Sequence, residues 1–137
     1  SRCVYRNANN DVEYRAYNHY LGAYGVQVVP PLHDLYSGST FEDVHGPAIA
    51  RYRDRIHLAV NDRPMLSYNG VYYGSASASC EASSCWTRFS RIDGNSDNYD
   101  VNCDWVSLWA GDSFLYLFRQ DTRFGAVFLR WRWKNSE

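Results

Sequence analysis

The sequence is poor in several of the features that would place a protein quickly. It contains one methionine, one lysine (Lys134, every other basic residue being arginine) and four prolines. No stretch reaches the 18 or so consecutive apolar residues that a membrane-spanning helix needs. There is no excess of positive charge, since 14 basic residues face 15 acidic ones for a net charge of −1, which argues against a general nucleic-acid-binding role. No Asn-x-Ser/Thr acceptor for N-linked sugar occurs. No glycine-rich phosphate loop and no nucleophile elbow is present either, so the common phosphotransfer and hydrolase signatures are absent from the pattern. Helical periodicity is weak throughout.

What remains is a chain of 137 residues, 45% hydrophobic and 17% aromatic, with 12 Tyr, 6 Phe and 5 Trp. That length suits a single domain, 1–137, with its own core. An aromatic content of that kind suits pleated, half-buried surfaces. Cys3, Cys80, Cys85 and Cys103 form an even set in a small chain that opens on Ser1 rather than Met, which together predict a secreted, processed protein with two disulfides. A local Cys80–Cys85 loop with Cys3 reaching Cys103 is the favoured pairing among the three available. A zinc site is the rival, but Cys80 and Cys85 have no second close pair and no His-x3-5-His to complete it. Free thiols in a cytosolic protein are the third alternative.

The chain reads as short alternating runs separated by turn chemistry. Val12 to Tyr20 fits a short helix or an irregular strand. Gly25 to Val29 reads as a strand stopped by Pro30-Pro31, and Pro31 to Gly46 as a long polar loop. Arg55 to Val60 alternates, with Ile56, Leu58 and Val60 on one face, which places His57 on the opposite, solvent face. Met65 to Tyr68 and Val71 to Ser75 flank Asn69-Gly70, a hairpin signal. Trp86 to Ile92 forms another strand. Trp105 to Trp109, a turn at Ala110-Gly111-Asp112-Ser113, and Phe114 to Phe118 form a hairpin, followed by a strand over Phe124 to Trp133. About eight short antiparallel strands with turns at this spacing predict an all-β fold, a β-sandwich or a barrel.

Three segments also carry a family resemblance. Thr122 to Leu129 resembles the closing strand of the tumour necrosis factor ligands and of the globular heads of complement first component. Leu108 to Leu117, with Gly111-Asp112 inside it, is similar to that superfamily's penultimate hairpin, and Ile56 to Pro64 resembles its mid-domain strand. The similarity covers roughly residues 55–129. It departs from the pattern in lacking a Gly-x-Tyr strand just ahead of Arg55 and in the short connection before Phe124. The resemblance implies a jelly roll that assembles as a homotrimer and recognises a ligand rather than catalysing a reaction.

Three constellations carry candidate chemistry. The segment Asp93 to Asp104 places Asp93, Asn95, Asp97, the Tyr99 carbonyl and Asp104 at calcium-loop spacing, against the plainer reading of successive Asx turns. His33, Glu42 and His45 on the polar loop would supply an acid–base pair of the ribonuclease kind. Tyr68, Tyr72 and Tyr73 around Asn69-Gly70, with Trp131 and Trp133 on one face of the last strand, are the candidate recognition surface for a protein or carbohydrate ligand, because rigid aromatics give contact area at low entropic cost. The function expected is an extracellular, non-enzymatic recognition module. The alternatives are a secreted effector or toxin that uses the aromatic surface on a membrane or host target, and a small secreted hydrolase.

Overall fold

The computed structural model describes residues 2–9, 11–18, 20, 22–25, 44–62, 70–79, 82–93, 105–121 and 125–131. Among them are ten strands and one short 3-10 turn, Ser83–Cys85, and no α-helix. The strands are β1 (Arg2–Arg6), β2 (Val12–Asn18), β3 (Ala23–Tyr24), β4 (Val44–Tyr52), β5 (Arg55–Asp62), β6 (Gly70–Ser77), β7 (Ser90–Asp93), β8 (Val106–Ala110), β9 (Leu115–Asp121) and β10 (Gly125–Trp131). The protein is all-β and antiparallel, as its sequence leads one to expect.

The described strands form three sheets, and in each the spatial order follows the chain: β1-β2-β3, then β4-β5-β6-β7, then β8-β9-β10. A jelly roll shuttles successive strands between two sheets. Here the chain completes one meander before it begins the next, so the stack departs from the jelly-roll connectivity expected. The leading strands are neighbours across the stack, β1 beside β4 and β4 beside β8. Sequential antiparallel meanders laid face to face make a layered β-sandwich, the sheet-on-sheet architecture the sequence leads one to expect.

The core lies in the two spaces between these sheets. Strand alternation sends Ile56, Leu58 and Val60 of β5 and Tyr72 and Ala76 of β6 towards the first sheet, where they meet Val12 and Tyr14 of β2 together with Trp86 and Phe89. The intervening residues Ala59, Val71 and Tyr73 point the other way, with Tyr52, onto Val106, Leu108, Leu115 and Leu117 of the third sheet. Each of these buried aliphatic side chains contributes roughly 1.5–3 kcal/mol by leaving water. The second sheet is therefore covered on both faces. That is why β5 is buried continuously from Ile56 to Asn61 and His57 is fully buried, not on a solvent face.

Other differences from the sequence reading have local causes. Residues 12–18 form a strand, one of the two readings open to them, because β2 pairs with β1 over Val12 to Ala16, Tyr14 opposite Val4, and with β3 beyond. β6 pairs with β5, Asp62 opposite Gly70, and with β7, while Met65 to Tyr68, expected as its hairpin partner, lie outside the described residues. Trp86 and Phe89 precede β7 instead of belonging to it, and both rings fill the first core. The turn between β4 and β5 is made by Arg53-Asp54, with Arg53 in the left-handed region at φ 54° and its guanidinium 5.3 Å from the Tyr52 ring centre.

Candidate functional site

The third sheet has one face in the core and one outside the stack. In β8 the alternation is strict: Val106 and Leu108 are buried, Ser107 and Trp109 exposed. In β9, Leu115, Leu117 and Arg119 face inward while Tyr116 and Phe118 face out. Register aligns Trp109 with Tyr116 and Ser107 with Phe118, and on the far side sets Phe128 opposite Phe118 and Arg130 opposite Tyr116. The Trp109 and Tyr116 rings lie 5.2 Å apart between centres, and Phe114 meets Tyr116 edge-on at 6.2 Å. The Tyr116 ring presses on the turn so closely that a Cβ at Gly111 would stand 2.7 Å from it. Trp109 is 60% exposed, Phe118 37% and Trp105, just ahead of β8, 43%. Single exposed aromatics are ordinary on a protein surface, whereas adjoining ones on one sheet face mark a candidate interaction site.

The outer face of the first sheet has a different character. Val4 packs inward, so Cys3 and Tyr5 of β1 point out, beside Glu13 and Arg15 of β2. Glu13 is a buried carboxylate with both oxygens occupied: the Tyr5 hydroxyl donates to Oε2 and the Asn7 amide donates to Oε1 at 2.8 Å. The Arg15 guanidinium stands 3.7 Å from Oε2 and 5.7 Å from the Tyr5 ring centre. Its hydrogen bond to Glu13 raises the Tyr5 phenol above its ordinary pKa.

Between the second and third sheets lies a buried polar pair. The Tyr73 hydroxyl is 2.6 Å from His57 Nδ1, and His57 Nε2 is 3.3 Å from the Tyr52 carbonyl. A carbonyl can only accept, so Nε2 carries the proton and Nδ1 accepts from the phenol. Burial pushes the imidazole down to about 4 and the Tyr73 phenol up to about 12, so both are neutral near pH 7. Close by, the Arg55 guanidinium donates to Ser75 Oγ at 2.9 and 3.1 Å. This arrangement braces two strands and keeps a polar row satisfied within the core.

The residues singled out in the sequence are dispersed by this architecture. Tyr72 and Tyr73 are buried, 1% and 7% exposed, on opposite faces of the doubly covered sheet, so neither belongs to a recognition surface; Tyr68 lies outside the described residues. Trp131 ends β10 opposite Leu115, and Trp133 lies outside the described residues. Asp93 ends β7 opposite Val71, while Asn95, Asp97, Tyr99 and Asp104 lie outside, so the calcium loop is not described. Among the described residues no three His, Cys, Asp or Glu side chains gather as metal ligands would. Cys3 is a free thiol, which corrects the pairing with Cys103: β1 holds it on the outer face, opposite Arg15. Cys85 closes the 3-10 turn, and Cys80 and Cys103 lie outside the described residues. His45 stands on β4 opposite Asn61 rather than on a loop, and His33 and Glu42 lie outside. The aromatic face of Trp109, Tyr116 and Phe118 was missed, although the sequence carries its signal: these residues alternate with Leu108, Leu115 and Leu117.

No known family matches the chain, that of the tumour necrosis factor ligands included, and no curated protein matches it. Among solved structures, an exo-β-1,3-galactanase from Clostridium thermocellum superposes with a TM-score of 0.48 at 11% identity, over 97% of this chain and 32% of the galactanase. A likeness of that degree assigns no function.

Proposed function

We propose that this chain is a non-enzymatic recognition module that binds a protein partner through the outer face of its third sheet. The observation that carries the reading is the outward aromatic row in which Trp109 and Phe118 are exposed and Tyr116 is half-buried between them. Aromatic residues are enriched where protein interfaces are buried, and adjoining rings standing out from an open sheet face suit another protein surface, whereas a small molecule prefers a concave site. The buried His57–Tyr73 pair supports the same reading, since both of its groups are held neutral and tied to strands rather than presented to a substrate. Secretion, with a local Cys80–Cys85 bridge, and calcium binding by the 93–104 loop belong to the same proposal; mass measured with and without reductant tests the bridge.

The test uses the whole chain immobilised in two forms, wild type and the double variant Trp109→Ser/Phe118→Ser, each exposed to extracellular proteins of the source organism. A protein held by the wild type and released by the variant is expected. Retention equal in both forms, or none in either together with an unchanged self-association, would overturn the assignment of this face.

A further inference from the structure

We infer that the polar chain between the second and third sheets is an acid-sensitive latch: a proton taken up by His57 releases the third sheet while the ladders of the second stay closed. The chain has one direction. Arg55, which can only donate, gives two N–H groups to Ser75 Oγ. The Ser75 hydroxyl bonds in turn to the Tyr73 phenol, and since that bond draws the phenol's pKa downwards, Ser75 is its donor. Tyr73 donates to His57 Nδ1, and Nε2 donates to the Tyr52 carbonyl, which can only accept. A pure donor at one end and a pure acceptor at the other fix every proton between them.

A second proton on the imidazole runs against that order. With Nδ1 protonated the ring must donate, so Tyr73 has to turn its hydrogen back towards Ser75, whose oxygen already takes both Arg55 contacts. The new charge also joins the Arg55 guanidinium on the same face of β5. Among the residues whose side chains are described, the titratable and charged groups facing this layer are Arg55 on β5, Tyr73 on β6, Tyr52 on β4 and the buried Arg119 on β9, while β8 brings Val106 and Leu108. Two of these are cations and none is a carboxylate. Every link of the chain lies within the second sheet, on β4, β5 and β6, whereas the third sheet meets this layer through Val106, Leu108, Leu115 and Leu117. Parting the two sheets gives up those apolar contacts, lets water reach the imidazolium and leaves the ladders of β4, β5 and β6 intact.

The experiment is hydrogen exchange of the full chain at about pH 7.5 and about pH 4.5, corrected for the intrinsic pH dependence of exchange, in the wild type and in His57→Gln. An imidazole held near 4 with the sheets closed, and returned to 6.5 when they part, favours the open form roughly 70-fold more at the lower pH, so the amides of β8 and β9 should lose about that factor of protection. The amides of β2 should stay better protected than these at both pH values, and His57→Gln should abolish the loss. A second variant, Arg55→Met, removes the neighbouring cation and opens Ser75 Oγ to the turned phenol, so the NMR titration midpoint of His57 should rise by about one pH unit. Protection that falls to one common value in β2, β8 and β9 is unfolding of the whole molecule and overturns the latch. Unchanged protection in the wild type, or a loss that persists in His57→Gln, overturns His57 as the trigger. A His57 midpoint that Arg55→Met leaves in place overturns the directed chain.

Discussion

Substituting Gly74 by alanine tests the packing of the first core at a single atom. Gly74 lies in β6 opposite Leu58, and its missing side chain would point towards the first sheet. A Cβ there would stand 2.6 Å from Phe89 Cε2 and 2.8 Å from both Cδ2 and Cζ, distances that real carbon atoms essentially never show. Phe89 cannot retreat easily, because its ring is fully buried and stacked on Trp86 at 6.3 Å between centres. Overpacking a filled core costs about 1–3 kcal/mol. Three simultaneous clashes against an immobile ring place Gly74→Ala at about 2 kcal/mol, a drop in melting temperature of roughly 6–10 °C for a chain of this size. Urea denaturation followed by tryptophan fluorescence measures the loss, and a double-mutant cycle with Phe89→Leu identifies its source. The smaller leucine removes the ring that clashes, so the double variant should be more stable than the sum of its parts by at least 1 kcal/mol or so. A neutral Gly74→Ala, or strict additivity with Phe89→Leu, would refute this account of the core.

Stability should also depend on pH through His57. Its pKa is depressed to about 4 in the folded protein against 6.5 when exposed, so the unfolded chain binds more protons between those values. Stability is then fully present above about pH 6.5 and lost as pH falls towards 4, by an amount on the order of 3 kcal/mol, and His57→Gln should flatten the urea midpoint across that window. Tyr73→Phe removes the donor to His57 Nδ1 and leaves a buried acceptor unsatisfied, which should lower stability by about 1–3 kcal/mol in the same assay. If the 93–104 loop binds calcium, the ion should raise the melting temperature and a chelator should reverse the rise; an identical melting curve in both would remove that site.

The sequence disclosed individual strands better than their company. β5, β8, β9 and β10 were legible because Ile56, Leu58 and Val60, or Val106 and Leu108, repeat at the strand period next to clear turn residues. The same rule misplaced His57, since a polar residue opposite a leucine stripe signals water only when one face of the sheet is exposed. Nothing local to residues 55–62 says that a second layer will cover the other side. Tyr72 and Tyr73 failed for the same reason: adjacent aromatics near Asn69-Gly70 resemble a surface patch, and only the double covering of β6 turns both inward. The candidate site was legible in principle, because Trp109, Tyr116 and Phe118 already alternate against leucines. Which side of that hairpin meets the core depended on the stacking of sheets distant in sequence.

The connectivity of the three meanders bears on how the molecule reaches its native state. Among the described strands every backbone ladder joins strands that follow one another, so each of these sheets can form from a short length of chain with little loop-closure entropy, favouring rapid assembly. The middle sheet pays for this simplicity with a vulnerable interval. Until the third meander arrives, Ala59, Val71 and Tyr73 face solvent from a sheet that is otherwise complete, and a chain emerging from the ribosome would hold that sticky surface open for as long as residues 105–131 take to be made.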